Sequence, residues 1–151
     1  MCLIVDVNVA KNVFLVDDDP DFKYVHERVF ATSGMKVTLV YGGKLLDEYR
    51  RMPNVYRLLL ELDRAGKTRK VSDADVNAEC VTLEKADLCR SNDHHIIALA
   101  RVGKVRLLCT DDADLIDDFN SKHPLDKPRG KVYTLDTHRA LLRKACKPAP
   151  P

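Results

Sequence analysis

The chain has 151 residues, of which 45% are hydrophobic and 32% charged, and its 25 basic and 23 acidic residues leave a net charge of +2. That length supports one domain with a sizeable core, and so even a charge balance excludes a protein whose bulk basicity alone would mark it as a nucleic-acid binder. The five cysteines, Cys2, Cys80, Cys89, Cys109 and Cys146, form no CxxC pair and sit mostly in apolar runs, so neither disulfides nor a zinc site is expected and a reducing cytoplasm fits best.

Met1 to Val5 is too short for a signal peptide, and no apolar run approaches membrane-spanning length. The run Cys2, Leu3, Ile4, Val5 reads as a strand that stops at Asp6, with Asn8 two residues on. A helix is expected from near Asn8 through Val9, Val13 and Val16. A second, capped by Asp19 with Pro20 at its first position, carries Phe22, Val25 and Val29 and ends at Gly34.

Residues 36–41 read as the next strand. Gly42 and Gly43 then turn the chain into a helix from about Lys44 to Met52, stopped by Pro53. At about 100° per residue, Leu45, Leu46, Tyr49 and Met52 define its buried arc, Glu48 borders that arc and Asp47 faces water. Asn54 is expected to cap a helix through Leu62 that ends at Gly66, and Ser72 one through Val76, Cys80 and Leu83, the two forming a helical hairpin. Between them Lys67, Thr68, Arg69 and Lys70 read as a basic loop, suited to phosphate contact and equally to an ordinary solvated turn.

Ser91, Asn92 and Asp93 are helix-capping residue types ahead of the run Ile96 to Ala100, and Gly103 closes that helix. Asp93 precedes Ile96, Ile97 and Ala100 by three, four and seven positions, which turns a carboxylate toward the core. Residues 105–109 read as a strand buried on both faces, with Thr110, Asp111 and Asp112 just past its carboxyl end. Asp112 or Asp114 is placed to open the helix through Leu115, Ile116 and Phe119. A last strand is expected over residues 131–135, then a short helix capped by Thr137 with Arg139 and Arg143 one turn apart. Residues 147–151 read as a proline-rich frayed tail after a single domain over residues 1–146.

Strands alternating with helices predict an α/β fold, a Rossmann-like three-layer sandwich with a parallel sheet of four or five strands. Right-handed crossovers would place the ends of strands 2–5, 36–41 and 105–109 on one edge, where such sheets bind ligands, so that Asp6, Glu48, Asp93 and Asp112 converge while Asp47 and Asp111 stay outside. Four carboxylates so placed repel one another unless one is protonated or a cation intervenes. All-oxygen ligation selects hard ions, Mg²⁺ or Mn²⁺ over zinc, and such ions suit phosphodiester hydrolysis, typically as a pair about 4 Å apart. Basic residues gather apart from this focus, at Arg64, Lys67, Arg69 and Lys70 and at Arg139, Arg143, Lys144 and Lys147, as a polyanion held around a metal would require and as solvated helix faces also do.

These motifs together resemble the PIN-domain nucleases, Rossmann-like enzymes that include the toxin ribonucleases of toxin-antitoxin pairs. LIVDVNV carries Asp6 and Asn8, GGKLLDEY carries Glu48, SNDHHIIALA carries Asp93, and LLCTDDADL carries Thr110 and Asp112. Each motif alone is weak, while their order and spacing are specific and cover most of the chain. The resemblance implies a Mg²⁺- or Mn²⁺-dependent endoribonuclease with metal ligation by Asp6, Glu48, Asp93 and Asp112 and orientation by Asn8 and Thr110. It leaves Asp114 open as a ligand to a second ion, and in toxin members it implies homodimers and an antitoxin partner. His94 and His95 have no fixed counterpart in the motif and read as exposed helix residues. Two rivals stand beside this reading: a receiver-type phosphorylation switch, suggested by VFLVDDDPDF at Val13 to Phe22 but lacking a phospho-accepting Asp after a later strand, and a non-catalytic RNA-binding relative of the same fold.

Overall fold

The computed structural model describes residues 2–15, 19–34, 37–126 and 129–143, the side chain of Arg143 excepted. Expectations that fall on Val16, Asp17, Asp18, Lys36, Lys144, Cys146, Lys147 and the tail over residues 147–151 lie outside the described residues. The first strand, β1 (Cys2–Val5), has every side chain buried, and its apolar run places it at the centre of the sheet. α1 (Val7–Phe14) follows directly, with Val9, Ala10, Val13 and Phe14 turned inward and Asp6 capping it by accepting the Val7 N–H at 2.8 Å. α2 (Lys23–Phe30) buries Val25 and Val29. Its regular turns begin at Lys23, preceded by a capped turn in which the Asp19 carboxylate accepts the Asp21 N–H at 2.9 Å and the Asp19 carbonyl the Lys23 N–H at 3.1 Å, and it ends at Phe30 instead of Gly34.

β2 (Thr38–Tyr41) leads through Gly42 and Gly43 into α3 (Lys44–Arg50). Gly43 has φ +60°, and a Cβ there would stand 2.8 Å from the Val76 side chain, so only glycine makes this turn. α3 stops at Arg50 because Pro53 disfavours a helical Met52, and Pro53 itself, not Asn54 as cap, opens α4 (Pro53–Arg64).

Residues 68–70, expected as a basic loop, form strand β3 (Thr68–Lys70), paired with β2 from Leu39↔Thr68 to Tyr41↔Lys70. Its side chains carry no apolar alternation because it is a sheet edge held by backbone hydrogen bonds. The expected helical hairpin is absent for the same reason: β3 separates α4 from α5 (Asp73–Ala86), and α5 packs instead on α6 (His94–Gly103). The rest of the chain supplies β4 (Leu107–Cys109), α7 (Ala113–Asn120), β5 (Lys131–Tyr133) and a 3-10 segment over Asp136–Arg143.

All five strands are parallel, in the order β3-β2-β1-β4-β5. The fold is therefore the α/β, Rossmann-like sandwich expected, with the fifth strand supplied by the basic segment. Right-handed crossovers assign α1 to α4 to one face and α5 to α7 to the other. Chain direction away from β1 reverses between β1 and β4, which makes their carboxyl ends the topological switch point of the sheet. A receiver-type order would be 2-1-3-4-5, which this sheet does not have.

Cys2 is disulfide-bonded, contrary to the expectation of none; count and spacing cannot exclude a bridge between cysteines brought together only by the fold. Among the described residues, no helix is long and apolar enough to cross a membrane.

Candidate active site at the carboxyl edge of the sheet

Asp6 is the first residue past β1 and Thr110 the first past β4, and the pairing of these two strands sets them side by side: Val5 is in register with Cys109, and the Asp6 N–H donates to the Cys109 carbonyl at 2.9 Å. Asp6 is 2% exposed and Thr110 fully buried. The Thr110 hydroxyl donates to Asp6 Oδ2 at 2.8 Å and accepts the Asp112 N–H at 3.2 Å, with Asn8 Oδ1 at 3.4 Å. One hydroxyl thus joins three of the sequence-selected residues. Asp112 is turned by its own duty as the α7 cap, accepting the Leu115 N–H at 3.1 Å.

Glu48 reaches the same edge from α3. The neighbouring Tyr49 is fully buried and donates its hydroxyl to the Val5 carbonyl, which pins this turn of α3 to the end of β1. Glu48 Oε1 lies 2.6 Å from His95 Nε2 on α6. His95 is only 4% exposed, so the expectation of an exposed helix residue fails for it. The available signal was the unbroken apolar run Ile96 to Ala100, which marks a helix buried all round, its first turn included.

Asp93 is the N-cap position of α6, one residue before its first turn, and its side chain makes no capping hydrogen bond. The loop that delivers it is held from α7: Asp118, 3% exposed, accepts the N–H groups of Arg90 and Ser91 at 2.8 and 2.9 Å, and the Ser91 hydroxyl accepts the Asp93 N–H at 3.2 Å. At about 100° per residue, Asp118 borders the arc that Leu115 and Phe119 bury while Asp117 lies nearly opposite it, a signal in the sequence that points to the inward carboxylate but not to its partners.

The four carboxylates are close enough to burden one another. Burial pushes the Asp6 carboxyl up to about 6; the Thr110 hydroxyl and the Val7 N–H oppose this, and the charges of Asp93 and Glu48 add to it. Burial likewise raises Asp93, aided by Asp112 and Glu48 and opposed by His95 and Lys44. Asp47, bridged to Arg50 at 3.4 Å, is exposed as its helical angle required, and Asp111, in the loop before α7, is exposed too. Asp114 is exposed in the first turn of α7.

No family model, curated protein or solved structure matches the chain.

The donor set fits a hard divalent cation in chemistry: carboxylate oxygens, crowded, with Asp6 driven toward protonation when no cation is near. Among the described residues, however, no group of three or more His, Cys, Asp or Glu side chains stands ready to hold an ion. Mg²⁺ asks less than that, since it keeps several waters and commonly takes only one or two carboxylates, with substrate phosphate completing its shell.

The basic residues expected to touch nucleic acid have structural duties. Lys67 Nζ donates to the Val29 carbonyl at 3.2 Å and to that of Ala31, at the end of α2. Arg69 donates to the Gly103 carbonyl at 2.6 Å, and Lys70 pairs with Asp73 at 3.5 Å.

Proposed function

We propose that the chain is a metal-dependent endoribonuclease of the PIN type, hydrolysing RNA phosphodiesters at Asp6, Glu48, Asp93 and Asp112. The observation that supports this reading is electrostatic reach at the switch point between β1 and β4: burial, and after it the charges of Asp93 and Glu48, push the Asp6 carboxyl up to about 6, and Asp93 in turn feels Asp112 and Glu48. A Mg²⁺ or Mn²⁺ ion bound there would relieve that repulsion, activate water and neutralise charge on the phosphate. The protein's part is placement. Thr110 holds Asp6, His95 holds one oxygen of Glu48 and leaves the other free, and Asp118 with Ser91 fixes the backbone at Asp93. The toxin role, with an antitoxin partner and a homodimer, rests on the family resemblance alone, and the cytoplasmic location on the cysteine usage, against which the disulfide at Cys2 counts.

A second reading, a non-catalytic RNA-binding relative, is favoured by one observation: Glu48 is already engaged by His95. The test is cleavage of mixed single-stranded RNA with Mn²⁺ and with EDTA, by the parent and by Asp6→Asn. Mn²⁺-dependent cleavage lost in the variant is the expected result. RNA that is bound but left intact would transfer the assignment to the second reading.

A further inference from the structure

Beside the carboxylates lies a cavity of about 270 Å³ between the start of α3, the middle of α5 and the start of α6. Its border includes Lys44, Asn77, Glu84, Asn92, His94 and His95. His95 is a shared wall, lining this cavity while its Nε2 touches Glu48 at 2.6 Å. Lys44 stands one turn before Glu48 on the same face of α3, and its charge acts on Asp93. Asn77 is held close to that turn, its Oδ1 lying 3.6 Å from where a Gly43 Cβ would be.

Among the described residues, no hydrogen bond engages the side chains of Lys44, Asn77, Asn92 or His94, and Lys44, Asn77 and Asn92 are exposed. Two free carboxamides and an imidazole offer paired donors and acceptors, the pattern that matches the edge of a heterocyclic base, whereas an ammonium is a point charge suited to phosphate. Glu84 on the same wall repels a phosphate from the interior, which leaves the Lys44 side for the backbone. Sequence-selective RNA recognition works on unpaired bases splayed from the strand and bonded along their edges.

We propose that this cavity is a base-selective subsite: it receives one unpaired nucleobase of a single-stranded RNA beside the phosphate at the carboxylates, with Asn77 and Asn92 reading the base edge and Lys44 holding the adjoining phosphate. The proposal rests on the nuclease reading for the position of that base relative to the cut, but its binding component can be read without cleavage.

Two measurements test it. The first is cleavage of a random-sequence single-stranded RNA pool in Mn²⁺: the parent should favour one base at a fixed position beside the cut, and the Asn77→Ala, Asn92→Ala double variant should flatten that preference by about tenfold, while Lys44→Ala should raise KM without changing the preference. The second is equilibrium binding, in EDTA, of short labelled homopolymeric RNAs to parent and variants. The parent should discriminate among the four homopolymers and the double variant should not. A base preference that survives the double substitution, in cleavage or in binding, overturns the subsite. If no protein cleaves, the nuclease reading fails while the homopolymer measurement still decides for or against the pocket.

Discussion

The Thr110 hydroxyl donates to Asp6 Oδ2 at 2.8 Å, joining residues 104 positions apart at the ends of the two central strands. This bond favours the ionised carboxylate, yet Asp6 remains pushed up to about 6 because burial at 2% exposure and the charges of Asp93 and Glu48 outweigh it. The site is a place where folding works against a charge.

A pH dependence follows for the metal-free protein. Between the ordinary value of 3.8 and about 6, folded chains retain a proton on Asp6 that unfolded chains have lost, so stability falls as pH rises through this window and levels off above it. The shift corresponds to roughly 3 kcal/mol at neutral pH. Asp6→Asn should remove that slope, so urea unfolding in EDTA at pH 5 and pH 8 should show the variant gaining on the parent at the higher pH. Parallel profiles for the two proteins would contradict the assignment.

Asp93→Asn should abolish Mn²⁺-dependent RNA cleavage and leave the metal-free protein as stable as the parent or more so. Asp93 makes no capping bond that the amide would forfeit, and removing its charge relieves Asp6. Cleavage assays and urea unfolding in EDTA check the two halves. A charge whose only service was to the α6 dipole would behave oppositely, its loss costing about 0.3–1 kcal/mol with chemistry untouched.

Asp118→Ala should be destabilising by about 2–4 kcal/mol, because the N–H groups of Arg90 and Ser91 lose their shared acceptor and Ser91 is only 5% exposed. It should also weaken Mn²⁺ binding, since the loop that presents Asp93 loses its anchor. Calorimetric titration under conditions where the variant is still folded reads the second effect. Stability lost with Mn²⁺ affinity intact would confine Asp118 to the scaffold.

His95→Ala should weaken Mn²⁺ binding by roughly tenfold or more, as expected when a hydrogen bond that orients a ligating carboxylate is removed. His95→Gln, which keeps an N–H donor for Glu48, should recover part of the loss. Equal affinity in parent and Ala variant would show that Glu48 reaches the ion unaided or is not a ligand.

Much of this molecule can be read along the chain. The alternation of apolar strands with capped helices specifies the parallel α/β sheet, and rotation about the α3 axis already separates Glu48 from Asp47. Asp6 stands out as the acidic residue where an apolar run stops, and Asp111, Asp112 and Asp114 as an acidic group just past another. These features are legible because periodicity, caps and turn glycines act over a few residues. β3 escaped because an edge strand of Thr68, Arg69 and Lys70 is held by backbone bonds to β2 and shows no side-chain pattern. The His95 contact with Glu48, the partners of Asp118 at Arg90 and Ser91, and the commitment of Lys67 and Arg69 to backbone carbonyls at helix ends were settled only by the fold. Each joins elements far apart in sequence, and a hydrogen bond or burial across such a gap depends on where two helices or strands meet, which no local pattern encodes.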